Sequence, residues 1–218
     1  MASVGSVLDM GTGGGERLAS LAPLPPIACA TEAYAPNVPV ARRRLTPLGV
    51  NVVDTTADPD GISLPFEDGA FELIVTRHEC FVASEVFRLL QPGGTFITQQ
   101  CGGHGEVGLI EWFKGPGTAT VMDWTVDIAS EQLTQAGFRI NHRQEAYSEH
   151  CFKDVGAVVY YLRAIRWLVE DFSVERYRDR LYDMHLHIQQ HGGFSMKNER
   201  FLIEAGKPED KNSQTLPQ

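Results

Sequence analysis

The chain has 218 residues, which is the length of one domain of ordinary size. Hydrophobic residues make up 43% of it and charged residues 22%, a balance that excludes a wholly disordered chain. The net charge of −9 argues against a broad nucleic-acid-binding surface, because an acidic protein repels phosphate backbones.

The predicted elements of the first hundred residues alternate between strands and helices. Apolar strands are predicted at Val4–Leu8, Ile27–Thr31, Val50–Val53, Phe71–Thr76 and Thr95–Gln100. Helices are predicted between them at about 14–21, from the N-cap Asn37 to Leu45, and at Val82–Leu90. Apolar strands that alternate with helices are typical of a parallel sheet with helices on both faces, a doubly wound α/β fold.

The second half of the chain is less regular. A helix is predicted at Val126–Ala136, a strand at Phe138–Ala146, helices at about Asp154–Val169 and Val174–Gln190, and a last strand at Arg200–Ala205. The helical pair is interpreted as an insertion before the last strand. We therefore predict a single domain over residues 1–206, with a helical lid at about 154–190 and a disordered tail at 207–218.

The strongest motif is VLDMGTGGG, residues 7–15, a glycine-rich turn between a strand and a helix. Such a turn lets a ligand approach the backbone and offers it N–H groups. The dinucleotide fingerprint G-x-G-x-x-G does not fit, because Glu16 occupies the sixth position from Gly11. No G-K-[ST] follows, which excludes a P-loop. The turn therefore indicates a ligand without phosphates, and a nicotinamide oxidoreductase is disfavoured.

Glu32 ends the second predicted strand, 21 residues after Gly11. An acid at this place can accept hydrogen bonds from both hydroxyls of a ribose. A nucleoside that carries no phosphate, held between a glycine turn and an acid, indicates S-adenosylmethionine (SAM) as the cofactor.

Three ordered blocks resemble those of class I SAM-dependent methyltransferases. They read LDMGTGGG at 8–15, LPFEDGAFE at 64–72 and FRLLQPGG at 87–94. The resemblance implies a mostly parallel seven-stranded sheet in the order 3-2-1-4-5-7-6, with strand seven antiparallel. It also implies a methyltransferase that takes its methyl group from SAM.

The resemblance further implies a set of cofactor-binding residues by position. These are Asp9, Gly11, Thr12 and Gly13 at the methionine end, Glu32 at the ribose, Asp60 and Gly61 at the adenine, and Arg77 near the sulfonium. The loop that holds Asp60 is longer than in the family, so Asp54 or Asp58 remains an alternative at the adenine.

His78 is the candidate general base, because it follows the fourth strand and its unperturbed pKa of ~6.5 suits proton transfer near neutrality. An ordinary polar residue at a strand end is an equal alternative. Glu79 is the second candidate, although strand alternation would point it the other way. The HLHIQQH run puts only His187 and His191 on one helix face, too few for a zinc site, and no metal is predicted.

The predicted function is methyl transfer from SAM to an O or N nucleophile of a small molecule. The family usually has more residues before its first strand, which motivates an alternative, a catalytically silent module that serves as a partner subunit. A homodimer is compatible with either. No apolar stretch has the ~18 residues of a membrane span, no signal sequence is seen, and four scattered cysteines favour a cytoplasmic protein.

Overall fold

The computed structural model describes residues 3–119 and 123–209, and the chain divides into two compact units. The first unit comprises residues 1–100, 126–144 and 201–218, and the second comprises residues 101–125 and 145–200. Most of the predicted tail at 207–218 lies outside the described residues, which end at 209. Within the described ranges, no helix combines the length and the apolar character that crossing a membrane requires.

Seven strands form one sheet. They are β1 (Ser6–Met10), β2 (Ile27–Glu32), β3 (Val50–Asp54), β4 (Phe71–Arg77), β5 (Leu90–Cys101), β6 (Arg139–Phe152) and β7 (Phe194–Gly206). Their order is β3-β2-β1-β4-β5-β7-β6, and the pairs among β1 to β5 are all parallel. This confirms the predicted doubly wound fold and its strand order.

Strand β7 runs antiparallel to β5. Gly93 N–H donates to the Lys207 carbonyl at 3.0 Å, and Gly102 N–H donates to the Glu199 carbonyl at 3.1 Å. Residue numbers therefore rise along β5 as they fall along β7, which is the antiparallel pattern.

Seven α-helices accompany the strands in the described part of the chain. They are α1 (Glu16–Ala19), α2 (Val38–Leu45), α3 (Ala83–Leu89), α4 (Val107–Lys114), α5 (Val126–Gln135), α6 (Val155–Ala164) and α7 (Arg178–His191). Helix α4 was not predicted. Asn37 takes the N-cap position of α2, but its side chain makes no capping hydrogen bond.

The two predicted helices of the insertion are shorter than expected. Helix α6 ends at Ala164 rather than Val169, and α7 begins at Arg178 rather than Val174. Leu168 and Val169 are nevertheless buried, although they lie outside a helix. Over so few residues, apolar side chains buried in turns leave the same sequence pattern as apolar side chains buried in a helix.

Each unit has its own apolar core. In the first, Val7, Ala30 and Val52 of neighbouring strands pack with Leu18 of α1 and Leu45 of α2. In the second, apolar side chains of α4, α6 and α7 pack together, among them Leu109, Phe113, Val158, Leu162, Met184 and Ile188. The core of the first unit supports the glycine turn that follows β1.

Candidate functional site

The glycine turn after β1 has a backbone that ordinary residues adopt with strain. Gly11 and Gly13 have φ angles of +68° and +63°, in the left-handed region. A Cβ on Gly11 would lie 2.5 Å from Glu79 Cβ, whereas a Cβ on Gly13 would meet nothing within 4 Å. Gly11 is therefore packed against the protein, and Gly13 faces open space that a ligand could occupy.

Three hydrogen bonds fix this turn to the sheet. The Thr12 hydroxyl donates to Asp9 Oδ2 at 2.7 Å, and Thr12 N–H donates to the Thr31 carbonyl at 2.9 Å. Gly11 N–H donates to Thr31 Oγ1 at 3.3 Å. The turn is thus held before any ligand binds, which reduces the entropy that binding would cost.

Asp9 is a carboxyl group in an unfavourable environment for its charge. The pKa of Asp9 is raised from its ordinary 3.8 to about 6, mainly because the carboxyl group is buried. The hydrogen bond from Thr12 lowers this pKa, and the negative charge of Glu32 raises it. A cationic ligand group beside Asp9 would favour the ionised form and offset part of this cost.

We expect Asp9→Asn to stabilise the ligand-free protein at about pH 7.5 by about 1–3 kcal/mol and to change its stability little at about pH 4. Because the folded pKa is raised, ionisation of Asp9 costs stability as pH rises from 3.8 through about 6. Asparagine removes that charge and can still accept the Thr12 hydrogen bond. Urea unfolding of both proteins at the two pH values measures the effect, and an equal difference at both would contradict it.

Glu32 lies at the carboxyl end of β2 and is buried, with 3% of its surface exposed. Its Oε1 accepts a hydrogen bond from Tyr34 N–H at 2.8 Å, which orients the carboxylate. The charge of Glu32 also raises the pKa values of Asp9 and Glu79. The Glu32 charge therefore acts on both of the other carboxyl groups near the turn, an arrangement that repels phosphate and favours a cation.

His78 does not occupy the position that strand alternation predicts. Its φ is +63°, it is exposed, and its N–H donates to the Gln99 carbonyl at 2.9 Å. This left-handed residue interrupts the alternation at the end of β4. Glu79 lies against Gly11, whereas strand alternation predicted that it would point the other way.

Glu79 is half-buried beside the turn. Burial raises the pKa of Glu79, a hydrogen bond from Cys80 N–H lowers it, and the Glu32 charge raises it again. A carboxyl with a raised pKa is suited to accept a proton near neutrality. Arg77, two residues before Glu79, is exposed and donates from Nε to Gln99 Oε1 at 2.8 Å. Arg77 lines a different groove, which it shares with Asp9 and Arg17.

The loop after β3 forms another wall of the site. Asp58 accepts hydrogen bonds from Ile62 N–H at 3.1 Å and Ser63 N–H at 2.8 Å, so its carboxylate holds the loop together. Asp60 is exposed, whereas Gly61 is buried. Asp54, the third candidate, accepts a hydrogen bond from Thr56 N–H at 3.0 Å.

One pocket of the first unit collects residues from all of these segments. Its lining includes Met10, Gly11, Thr31, Ala33, Thr55, Asp58, Gly61, Leu64, Glu79 and Cys80. Of the residues predicted from the sequence, the pocket brings together Gly11, Gly61 and Glu79, and also Asp58, one of the alternatives at the adenine. A glycine turn, apolar side chains and carboxyl groups therefore meet at this pocket.

The second unit contains a polar pair that sequence reasoning missed. Glu199 on β7 is 2% exposed, and its Oε2 accepts hydrogen bonds from His104 N–H at 3.0 Å and from His104 Nδ1 at 3.2 Å. A Cβ on Gly102 would overlap the Glu199 carboxyl group. The glycine-rich run CGGHGE at 101–106 was the available signal, because glycines let the loop close on a buried side chain.

Comparison with known proteins agrees with this geometry. Residues 8–98 match the family model described as a methyltransferase domain. The match covers less than half of the chain, and together with the sheet order it agrees with the predicted methyltransferase-like fold. Among curated proteins, none matches the chain in sequence.

Three solved structures illustrate the likeness. A candidate methyltransferase of Bacillus halodurans C-125 is 21% identical, with a TM-score of 0.64 over 93% of this chain and 92% of that one. The YcgJ protein of Bacillus subtilis is 18% identical, with a TM-score of 0.60 over 94% and 92%. A candidate sarcosine dimethylglycine methyltransferase of Galdieria sulphuraria is 12% identical, with a TM-score of 0.56 over 94% and 78%. At these identities the likeness shows the fold alone.

Proposed function

We propose that the protein transfers a methyl group from SAM to an oxygen or nitrogen nucleophile of a small molecule. The observation that carries the proposal is the set of three carboxyl groups, Asp9, Glu32 and Glu79, around a pre-formed glycine turn. SAM has a sulfonium, an ammonium and a ribose but no phosphate, so it suits an acidic site. The Galdieria protein has a similar fold, and its description as a methyltransferase names two small amines, sarcosine and dimethylglycine.

Each predicted residue has a proposed role in holding the cofactor. Glu32 accepts the ribose hydroxyls with the oxygen atoms that Tyr34 N–H orients. Asp9 places its negative charge at the methionine end of SAM, where the backbone of residues 11–13 forms the floor of the cofactor site. Gly61 allows close approach at the adenine, with Asp60 beside it. When bound, SAM supplies an electrophilic methyl group, so the chain need only position the acceptor and manage its proton.

For the proton, we propose Glu79 in place of His78. Glu79 lines the pocket and contacts the side of the turn at Gly11, whereas the backbone turns at His78. If the acceptor is a hydroxyl or an ammonium group, the Glu79 carboxylate takes its proton as the methyl group is transferred. Arg77 lines the same groove as Asp9, which we place at the methionine end, so it keeps its proposed place near the sulfonium.

We expect Glu32→Ala to weaken SAM binding by several tens-fold or more, because two charge-assisted hydrogen bonds of roughly 1.5–3 kcal/mol each are lost. Isothermal titration with SAM and S-adenosylhomocysteine measures the change. Glu67→Ala is the control, since Glu67 is an exposed glutamate of the same unit. A change of less than threefold for Glu32→Ala would remove Glu32 from the cofactor site.

Methyl transfer itself is tested with radiolabelled SAM and a panel of phenols, carboxylates and amines. Transfer to one class of acceptor supports the proposal. SAM binding without transfer to any of them would favour the partner-subunit alternative. The lid role of residues 154–190 remains a prediction, and so does the cytoplasmic location.

A further inference from the structure

Strand β6 is an unusual edge of the sheet. It comes last in the order β7-β6, so among the described strands only β7 pairs with it. It is 14 residues long, and every residue from 141 to 149 is exposed. A long exposed edge presents a row of backbone donors and acceptors that another strand can use.

The order of the charges on one face of β6 is complementary to itself when it is read in reverse. Alternation puts the odd-numbered residues on the same face. In chain order they are Arg139, Asn141, Arg143, Glu145, Tyr147 and Glu149. The first half is basic and the second half is acidic, so the sequence read backwards is complementary to itself.

Strand geometry and charge together select one register for two copies of β6. In a regular antiparallel pair, directly opposite residues point to the same face, so odd positions face odd positions. A two-fold axis at Gln144 places Arg139 opposite Glu149 and Arg143 opposite Glu145. An axis at residue 143 or 145 would instead place two arginines or two glutamates against each other, which destabilises a sheet.

We propose that the protein forms a symmetric dimer in which the β6 strands of two copies pair antiparallel, with Gln144 on the two-fold axis. Each copy contributes the same strand to the interface, as closed two-fold symmetry requires. The proposal does not depend on the methyltransferase activity, because it rests on the edge and the charges of β6 alone.

Contacts within the chain leave these side chains available. Arg143 pairs with Asp127 of α5 at 2.5 Å, and both side chains are exposed. Tyr147 donates to Glu145, and Arg139 Nε donates to Asn141 Oδ1 at 3.1 Å. Exposed pairs of this kind contribute little, so exchanging or extending them on dimer formation costs little.

Charged residues on an edge also protect sheets from unwanted pairing. In that interpretation the order of the charges along β6 is irrelevant, and the protein is a monomer. The two interpretations differ in what a cysteine at the proposed axis does.

We expect Gln144→Cys to form a disulfide between two chains under mild oxidation. Opposite residues of an antiparallel pair have Cα atoms about 4.5–5.5 Å apart, within the range of a disulfide. His142→Cys is the matched control, because it lies two residues from the axis and its two copies would be about 14 Å apart. Mass spectrometry of the linked peptides separates this bond from bonds of the exposed Cys80 and Cys101. Equal linkage of the two variants would contradict the register.

Charge reversal tests the same register without cysteines. Arg143→Glu and Glu145→Arg each create two like-charge pairs across the axis and should each weaken the dimer about tenfold. The double variant restores both pairs and should return to within about threefold of the wild-type dissociation constant. Sedimentation velocity at low salt measures it, and circular dichroism checks folding. A wild-type protein that stays monomeric at all concentrations, or a double variant as weak as the single ones, would overturn the proposal.

Discussion

Replacement of Gly13 by aspartate is expected to abolish SAM binding while the protein stays folded. A Cβ at position 13 would meet no atom within 4 Å, so the new side chain enters the space that we assign to the cofactor. Its charge would also oppose the carboxylate of the methionine part. We expect the dissociation constant to rise by about 100-fold or more, since losing ~3 kcal/mol already corresponds to that factor.

Gly49→Asp is a matched control for this change. Gly49 also has a left-handed backbone, with φ of +81°, and a Cβ there also meets nothing within 4 Å. It precedes β3, at the end of the strand opposite to the site. Both variants should lose a similar amount of stability from backbone strain, whereas only Gly13→Asp should lose SAM in isothermal titration. Equal SAM affinity of the two variants would remove Gly13 from the site.

The sheet was predictable because each of its five parallel strands has a short, mostly apolar segment with buried residues. The pattern of Phe71–Thr76, for example, differs from the observed β4 by one residue at its end. Strand β6 was predicted only as far as Ala146, because its exposed residues leave no apolar alternation that would mark where the strand ends. Its length follows from pairing with β7, which a local pattern does not report.

The candidate site was likewise predictable only in part. Asp9, the glycines and Glu32 were predictable because the motif fixes their place at the ends of two neighbouring strands. The relative directions of His78 and Glu79 were not, since they depend on one left-handed residue that is not a glycine. Glu199 was missed because its partner His104 is 95 positions away in the sequence.

Glu79→Gln should lower kcat by about 10²-fold when the acceptor carries a proton to be removed. Glutamine fills the same space beside Gly11 but accepts no proton, so the affinity for SAM should change far less than the rate. Because the pKa of Glu79 is raised, the wild-type rate should increase with pH as this carboxyl ionises, and the variant should lack that increase. Methyl transfer to the best acceptor of the panel, followed across pH, measures both effects.

His78→Ala separates the two candidate bases. The His78 side chain is exposed at a residue where the backbone turns, so its removal should change kcat by less than about threefold, as for a surface position outside the reacting groups. A loss of about 10²-fold in His78→Ala, with wild-type kcat in Glu79→Gln, would reverse the assignment and return the base to the residue that the sequence predicted. If both variants keep the wild-type rate and pH profile, no base is needed, and the acceptor nucleophile must reach the methyl group already unprotonated.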